Sequence, residues 1–285
     1  MINLPEEYIK SFVDRALRED VGKGDITTSL LVPPGEKSRA SLIFKEDGVL
    51  AGLAFADITF RSLDPGVQFF PYASDGDFIE KGKTAAVWEG EAAALLTGER
   101  TALNFIQHLS GIATYVRRLA GILSGSKTGL LDTRKTIPGL RLAEKYAVAL
   151  GGGTNHRMGL FDGILIKNNH LELYQDIADA VRKAKTNAPQ GMKVEVEIGK
   201  LEEINPAIDA GADILLIDNM DDAMVEKALK IIGGKVPVEI SGGITEERLV
   251  TLKNLGVDFI SMGRITHSAR ALDAHLLLLP VGAGE

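Results

Sequence analysis

The stretch VEVEIGKLEEINPAIDAGADILLIDN, residues 194–219, decides the fold. Two short apolar runs, VEVEI and ILLID, flank a segment in which apolar residues recur at helical spacing. A strand, a helix and a second strand in this order predict a right-handed crossover between two parallel strands. The same alternation continues on both sides of this stretch through the second half of the chain.

Six short apolar runs of the second half are strand candidates, and they read GLLDT, GILIKN, KVEVEIG, ILLIDN, VPVEISGG and FISMGR. The helix candidates among them cover roughly residues 140–150, 174–185, 202–210, 222–232 and 245–255. Repeated units of this kind favour an open (β/α) barrel and leave a doubly wound open sheet as the alternative. No Gly-x-Gly-x-x-Gly follows the first strand and no Walker A sequence is present, so nucleotide binding of those two types is not expected.

The first half of the chain has a different pattern. Residues 5–18 carry apolar residues at helical spacing, and EDVGKGDITT (19–28) is predicted to be a loop. Residues 38–90 contain short β-like runs separated by Asp-Gly and Lys-Gly turns, which predict an antiparallel sheet. From residue 98 onward an apolar face recurs at helical spacing, so a long helix is predicted to follow the sheet.

The composition excludes several classes of function. The 285 residues include no cysteine, which rules out disulfides, thiolate metal sites and a cysteine nucleophile. A formal net charge of −7 argues against a general nucleic-acid binder. No uncharged apolar run approaches the ~20 residues of a membrane helix, and the first residues lack a signal-peptide pattern. A soluble cytoplasmic protein with no membrane partner is expected.

Against this acidic background, residues 131–159 concentrate cations. Arg134 and Lys135 follow the first barrel strand, and His156 and Arg157 follow a Gly-Gly-Gly loop. In a barrel the chemistry lies where strands run into their following loops. Since arginine offers a planar fork for carboxylates and phosphates, the stretch predicts a pocket for a ligand that carries both groups. Lys145, on the intervening helix, is expected to be solvated.

Acidic residues alternate with apolar ones along VEVEI, so Glu195 and Glu197 lie on one side of that strand. A buried carboxylate needs a cation or changes its pKa, and Lys167 in the neighbouring ILIK run is a suitable partner. A buried ion-pair network without a ligand is the alternative interpretation. Glu197, Asp218 and Asp132 form a candidate set for a hard metal ion, most naturally Mg²⁺ bridged to phosphate.

Glycines end the last two barrel strands, in ISGGIT and ISMGRITHSA. Ser241, Gly242 and Gly243 follow one strand, and Ser261 and Gly263 end the other. Glycine lets backbone N–H groups approach an oxyanion closely, and the loops after the last strands are the usual phosphate site of such barrels. Plain turn chemistry is the alternative, but two consecutive sites of this kind favour phosphate.

These motifs resemble those of the quinolinate phosphoribosyltransferase family, and they occur in the family's order along nearly the whole chain. The matching stretches are EDVGKGDITT, GERTALNFIQHLSGIAT, DTRKTIPGLR, GGGTNHRMGLFDGILIKNNH, VEVEIG, ILLIDNM, EISGGIT and ISMGRITHSA. The resemblance implies an N-terminal α/β sandwich domain over residues 1–111, with a C-terminal tail of about 271–285 packing back on it. It also implies an open α/β barrel over residues 112–270 and a homodimer or higher even oligomer.

The resemblance implies a reaction of quinolinate with phosphoribosyl pyrophosphate and Mg²⁺. The residues that it assigns to the two substrates are Thr133, Arg134, Lys135, His156, Arg157, Lys167 and Ser261. Glu197 and Asp218 are placed near the ribose and Mg²⁺, without direct metal ligands being assigned. Lys135, Lys167, Glu197 and Asp218 are the expected catalytic residues. The residues expected to bind the 5′-phosphate are Ser241, Gly242, Gly243 and Gly263. Arg100 is expected to reach the neighbouring subunit's site.

Three alternatives remain at this point. A sister transferase, specific for nicotinate or associated with molybdenum transport, shares some of these motifs, although TNHRMG and ILIKNNH favour the quinolinate enzyme. SDGDFIEKGKTAAVWEG (74–90) resembles the turn of biotinyl and lipoyl carrier domains, but it shows no convincing modified lysine. A barrel enzyme acting on another phosphosugar is the third alternative. His156 and Lys135 are candidates for stabilising a carbanion at C2 of the pyridine ring.

Overall fold

The computed structural model describes residues 2–282. Its helices are α1 Glu6–Val21, α2 Ile26–Leu31, α3 Leu53–Leu63, α4 Ala92–Leu123, α5 Arg141–Leu150, α6 Asn168–Leu171, α7 Ile177–Asn187, α8 Ile204–Asp209, α9 Asp222–Ile232, α10 Glu246–Leu255 and α11 Arg264–His267. Its strands are β1 Lys37–Phe44, β2 Gly48–Val49, β3 Gln68–Pro71, β4 Phe78–Ile79, β5 Thr84–Glu91, β6 Gly129–Leu131, β7 Ile164–Ile166, β8 Val194–Ile198, β9 Ile214–Asp218, β10 Val238–Ser241, β11 Phe259–Ser261 and β12 Ala274–Pro280.

The chain divides into two compact units. The first comprises Met1–Arg117, Leu142–Gly152 and Ser268–Glu285, and the second comprises Arg118–Arg141 and Gly153–His267. Within the described part of the chain, none of the helices has the combined length and apolar character that a membrane crossing requires.

The first unit contains a four-stranded antiparallel sheet in the order β12-β1-β5-β3. Trp88 of β5 is fully buried and stacks on Phe69 of β3, with 5.0 Å between the ring centroids. Phe60 of α3 also contacts Trp88, in a tilted arrangement with 5.2 Å between the ring centroids. These aromatic contacts bury a large apolar area and fix α3 against the sheet. The C-terminal strand β12 completes the sheet by pairing with β1.

Two helices of this unit differ from the sequence prediction. Part of EDVGKGDITT forms the start of α2, because the Asp25 side chain caps that helix by accepting the Thr28 N–H at 2.9 Å. Residues 53–63 form α3 within a region predicted as strands only. The β-branched and aromatic residues of α3 bury one helical face, so tertiary packing outweighs their preference for strands.

Lys145 also differs from expectation, since its side chain is fully buried rather than solvated. It lies on α5 beside Glu144, which is also fully buried and accepts a hydrogen bond from His108 Nε2 at 2.9 Å. Lys145 therefore does not lie on a solvent-exposed face of α5.

The second unit is built on a six-stranded parallel sheet in the order β6-β11-β10-β9-β8-β7. The order advances in one direction from β7 to β11, and the first strand, β6, lies beside the last. A doubly wound sheet would reverse direction partway, so this order is that of a barrel. No pairing joins β6 to β7 within residues 2–282, so the barrel is open. The predicted strands and the open-barrel class are confirmed.

The long helix α4 offers a matched test of its packing. A Cβ on Gly111 would overlap the backbone carbonyl of Arg270, whereas a Cβ on Gly121 would meet no atom within 4 Å. Gly111→Ala is expected to lower the free energy of unfolding by about 1–3 kcal/mol through overpacking. Gly121→Ala is expected to raise it by up to ~1 kcal/mol, because alanine favours a helix more than glycine does. Urea unfolding of both variants measures the difference, and equal effects at the two positions would refute this close approach.

Candidate active site

A cavity of about 520 Å³ opens at the carboxyl ends of strands β6 to β11. Each of the six strands supplies it with a side chain from its last residues or from the loop that follows. Most of the predicted site residues line it, namely Thr133, Arg134, Lys135, His156, Arg157, Lys167, Glu197, Asp218, Ser241, Gly242, Gly243 and Ser261. Residues from distant parts of the sequence therefore meet at one edge of the sheet.

Two predicted residues lie outside the cavity lining. Gly263 borders it indirectly, because a Cβ at this position would overlap the Lys135 side chain, so the glycine makes room for that lysine. Arg100 lies exposed on α4 in the first unit and is not among the described residues that line the cavity.

Cations dominate one part of the cavity. The Arg134 Nε atom is buried and has no hydrogen-bond partner among residues 2–282, although a buried donor of this kind is normally satisfied. Arg157 donates to the Gly163 carbonyl at 2.9 Å, and its pKa is lowered by burial and by the nearby charge of Arg134. Two guanidinium groups that repel one another, with Lys135 and Lys167 in the same cavity, make this part of the cavity a suitable site for an anion.

The predicted ion pair between Lys167 and a glutamate of β8 is not formed among the described residues. Burial and the charge of Asp218 raise the pKa of Glu197, and nearby Lys167 opposes that rise only in part, but neither Glu197 nor Glu195 forms a salt bridge with Lys167. Glu197 instead accepts a hydrogen bond from Asn168 Nδ2 at 2.9 Å. Lys167 therefore keeps its charge available to the cavity.

His156 has both ring nitrogens engaged by the protein. Its Nδ1 accepts the Arg157 N–H at 2.7 Å, so that nitrogen carries no proton in a neutral ring. Its Nε2 then carries the proton and faces Glu195 Oε2 at 3.1 Å and Glu239 Oε2 at 3.5 Å. This arrangement fixes the ring and its tautomer and leaves neither nitrogen free to donate to a bound molecule.

Glu239 lines the cavity, but the sequence analysis did not assign it to the site. Burial raises the pKa of Glu239 to about 8, and the negative charge of Glu195 adds to the effect. One ligand atom from each of His156, Glu195 and Glu239 lies within 4.8 Å of the others, which is a spacing that also suits a metal ion. The His156 hydrogen bonds organise this cluster, and the raised pKa of Glu239 keeps a proton on that carboxyl group beside the Glu195 charge.

The raised pKa of Glu239 predicts how stability depends on pH. The folded protein holds this proton up to about pH 8, whereas the unfolded chain releases it near 4.5, so the free energy of unfolding falls between these values and then levels off. Glu239→Gln removes the titration and should therefore gain stability relative to the wild type as the pH rises. Melting temperatures from about pH 5 to about pH 9 measure this difference. A difference independent of pH would contradict the prediction, and exposed Glu202→Gln is the control.

Glu197 and Asp218 form a second acidic group in the cavity. Burial raises the pKa of Glu197, and the charge of Asp218 raises it further. These two carboxylates lie close together in the cavity, and glycine-containing loops line the same cavity. Carboxylates in this arrangement are suitable oxygen ligands for a hard divalent cation. Asp132, the third acid of the predicted metal set, does not belong with them. It is fully buried and accepts the His156 N–H at 2.8 Å and Asn155 Nδ2 at 2.7 Å.

Two loops close the cavity beside β9 and β10. Gly242 and Gly243 have positive φ values of 86° and 60°, and Asn219 has a φ of 55°. A Cβ on Gly242 would overlap the Asn219 side chain, so only glycine allows the two loops to approach so closely. The Asn219 N–H donates to the Ser241 carbonyl at 3.0 Å and joins the loops. Backbone N–H groups in a glycine turn of this kind are suitable donors to an anion.

Strand alternation explains which cavity residues the sequence analysis missed. Glu239 precedes Ser241 by two residues on β10, and Leu216 precedes Asp218 in the same way on β9. Residues two apart lie on one side of a strand, so each strand-end residue implies a second cavity residue. Leu165 and Lys167 follow this rule as the sequence predicted.

Comparison with known proteins agrees with this geometry. A family model described as quinolinate phosphoribosyl transferase, C-terminal domain, matches residues 112–277, and the N-terminal domain model matches residues 25–110. The chain is 44% identical over 266 residues to a probable nicotinate-nucleotide pyrophosphorylase (carboxylating) of Bacillus subtilis, covering 93% of this chain and 91% of the relative. A chloroplastic enzyme of that name from Arabidopsis thaliana is 38% identical, covering 95% of this chain and 83% of the relative. The solved structure of the nicotinate-nucleotide pyrophosphorylase from Francisella tularensis superposes with a TM-score of 0.91 at 42% identity, covering 98% of each chain.

Proposed function

The chain belongs to the quinolinate phosphoribosyl transferase family, and from this premise we propose how its own side chains carry out the reaction. It is a decarboxylating phosphoribosyltransferase of de novo NAD biosynthesis. It converts quinolinate and phosphoribosyl pyrophosphate to nicotinate mononucleotide, pyrophosphate and CO2. The carrier-domain and other-phosphosugar interpretations of the sequence are thereby set aside.

One observation supports the placement of quinolinate above all others. Among residues 2–282 the buried Arg134 Nε has no acceptor, and burial together with the charge of Arg134 lowers the pKa of Arg157. Quinolinate carries two adjacent carboxylates on a planar ring, so it is a suitable acceptor for both guanidinium groups and offsets their positive charge. Arg134 and Arg157 bind these carboxylates through charge-assisted hydrogen bonds, and Lys135 and Lys167 add positive charge around the ring.

Glu197 and Asp218 act at the ribose and at the leaving pyrophosphate. The pyridine nitrogen attacks C1 of the ribose as pyrophosphate departs, and positive charge develops on the sugar. The two carboxylates stabilise that charge and orient the ribose, while Lys167 offsets charge on the departing phosphates. When bound with phosphoribosyl pyrophosphate, Mg²⁺ supplies further positive charge there, and Glu197 and Asp218 are the residues that would hold it.

The loops after β10 and β11 bind the 5′-phosphate. The N–H groups of Gly242 and Gly243, with the hydroxyl groups of Ser241 and Ser261, offer donors at the same edge of the sheet. The ribose is thereby held at a fixed distance from the cationic part of the cavity. Catalysis depends on this positioning and on electrostatics, with no covalent enzyme intermediate.

Loss of CO2 leaves an electron pair at C2, beside the positively charged ring nitrogen, and a proton then bonds to C2. Lys135 is the residue that stabilises this carbanion in our proposal. His156 does not, because its two nitrogens already bond to Arg157 N–H and to the Glu195 carboxylate. His156 instead holds the cavity wall and the Arg157 backbone in place.

A homodimer or higher even oligomer, with Arg100 reaching the neighbouring subunit's cavity, is also part of the proposal. Arg100 is exposed on α4, and Ile26, Leu30 and Leu31 of α2 expose at least three quarters of their surface. An apolar face of this kind suits a second copy of the chain. Light scattering of the purified protein measures the oligomer mass.

A cytoplasmic location stays a prediction from the sequence.

The function is tested by mixing purified protein, phosphoribosyl pyrophosphate and Mg²⁺ with quinolinate and, separately, with nicotinate. Equal amounts of nicotinate mononucleotide and CO2 from quinolinate alone are the expected result. Product from nicotinate without CO2 would assign the chain to a sister transferase. The absence of product from both substrates would overturn the assignment.

A further inference from the structure

Arg248, on the first turn of α10, makes three contacts that join the loop after β9 to the phosphate-binding loop after β10. Its Nε donates to Asp222 Oδ1 at 2.8 Å, its Nη1 donates to the Gly242 carbonyl at 3.0 Å, and its Nη2 donates to the Met220 carbonyl. Its own N–H is capped by the Thr245 hydroxyl at 3.3 Å. The side chain is largely buried and is not among the described residues that line the cavity.

These contacts determine the orientation of the loop peptides. In a trans peptide the carbonyl and the following N–H lie on opposite sides. The bond that holds the Gly242 carbonyl toward Arg248 therefore turns the Gly243 N–H away from α10. Gly243 lines the cavity whereas Arg248 does not among the described residues, so this orientation directs a donor toward the cavity.

The loop residues with positive φ values need a contact that holds their conformation, and the Arg248 hydrogen bonds provide it. Gly242 and Gly243 have large conformational freedom, which an unrestrained loop would use. Asn219, in the facing loop, holds a left-handed conformation that is uncommon for residues other than glycine. A planar guanidinium with several donors can satisfy one carbonyl in each loop and a carboxylate at once, which a lysine cannot.

We propose that Arg248 is a positioning residue for the phosphate of phosphoribosyl pyrophosphate, acting by holding the Met220 and Gly242 carbonyls in one arrangement. Its charge is paired with Asp222, so its effect on the phosphate is geometric rather than electrostatic. This inference rests on the proposed function, because it concerns the phosphate loop of that same reaction. It adds a residue that does not itself touch the substrate.

Arg248→Ala is expected to raise KM for phosphoribosyl pyrophosphate by about tenfold to a hundredfold, because small displacements of a positioned group cost this much. KM for quinolinate should change less than about twofold, since the Arg134 side of the cavity is untouched. Arg248→Lys should recover only part of the loss, because an ammonium group lacks the planar fork. Calorimetric binding of ribose 5-phosphate should weaken by a similar factor in Arg248→Ala.

Lys253→Ala is the matched control on the same helix. Lys253 also bonds two backbone carbonyls, those of Ile122 at 3.0 Å and Ser124 at 2.6 Å, but neither belongs to a phosphate loop. The Lys253→Ala substitution should lower the free energy of unfolding without changing KM for phosphoribosyl pyrophosphate or KM for quinolinate. Should Arg248→Ala fail to fold, Asp222→Ala removes the anchor of the guanidinium and should raise the same KM.

The outcomes separate this inference from the proposed function. A wild-type protein that forms no nicotinate mononucleotide overturns the function itself. An active wild type with an unchanged KM for phosphoribosyl pyrophosphate in folded Arg248 variants overturns the positioning role alone. Equal rises in both KM values, or the same effect in Lys253→Ala, would show a general structural role and overturn it as well.

Discussion

Arg134→Ala is expected to lower kcat/KM for quinolinate by about a thousandfold. Hydrogen bonds to charged groups contribute about 1.5–3 kcal/mol each, and a guanidinium that binds a carboxylate makes two of them. The loss should fall mainly on quinolinate, with a smaller rise in KM for phosphoribosyl pyrophosphate. Steady-state kinetics with each substrate varied in turn measures the two effects.

The same variant should not be less stable than the wild type in the absence of substrate. Arg134 has a buried Nε without a partner among residues 2–282 and repels Arg157, so its removal relieves an unfavourable arrangement of these two side chains. A melting temperature equal to or above that of the wild type is expected. A large loss of stability would mean that Arg134 supports the fold, and Arg182→Ala, at an exposed arginine of α7, is the control.

Asp218→Asn is expected to lower kcat by about a hundredfold to a thousandfold. The substitution keeps the size of the side chain but removes a charge that stabilises the developing cation and contributes to the proposed Mg²⁺ site. The concentration of Mg²⁺ that gives half-maximal activity should rise. The pKa of Glu197 should fall toward its ordinary value, because the charge of Asp218 is one of its two main causes of elevation.

A titration of activity against Mg²⁺ at saturating substrates measures the Asp218→Asn effect. Asp209→Asn, at an exposed position of α8, makes the same chemical change away from the cavity and should leave the curve unchanged. An Asp218→Asn enzyme with wild-type kcat and wild-type Mg²⁺ dependence would remove this residue from the mechanism.

The second unit could be predicted from sequence because local pattern and tertiary environment agree there. Buried parallel strands require continuous apolar runs, and helices between them require one apolar face. The first unit was harder. Its helix α3 contains residues typical of strands, and α2 has only six residues, whose one clear signal is the Asp25 cap. Burial of Lys145 also depends on neighbours that spacing along α5 does not specify.

The site followed the same division. Residues at strand ends were predictable, because the carboxyl ends of parallel strands meet at one edge of the sheet. The partners of those residues were not. Glu239 beside His156, and the bonds of Arg248 to two separate loops, depend on how strands and helices are brought together. Asp132 was predicted as a metal ligand because it lies at a strand end. In the structure it instead accepts hydrogen bonds from Asn155 and from the His156 N–H, and so holds the loop that carries His156.

In the proposed mechanism the cations of the cavity bind a dicarboxylate. Isothermal titration of the wild-type protein with quinolinate and with nicotinate, which lacks the second carboxylate, tests it most directly. We predict that quinolinate saturates one site per chain and binds at least about a hundredfold more tightly, a difference of about 2.7 kcal/mol, which one charge-assisted contact can supply. Equal affinities for the two ligands would contradict the claim.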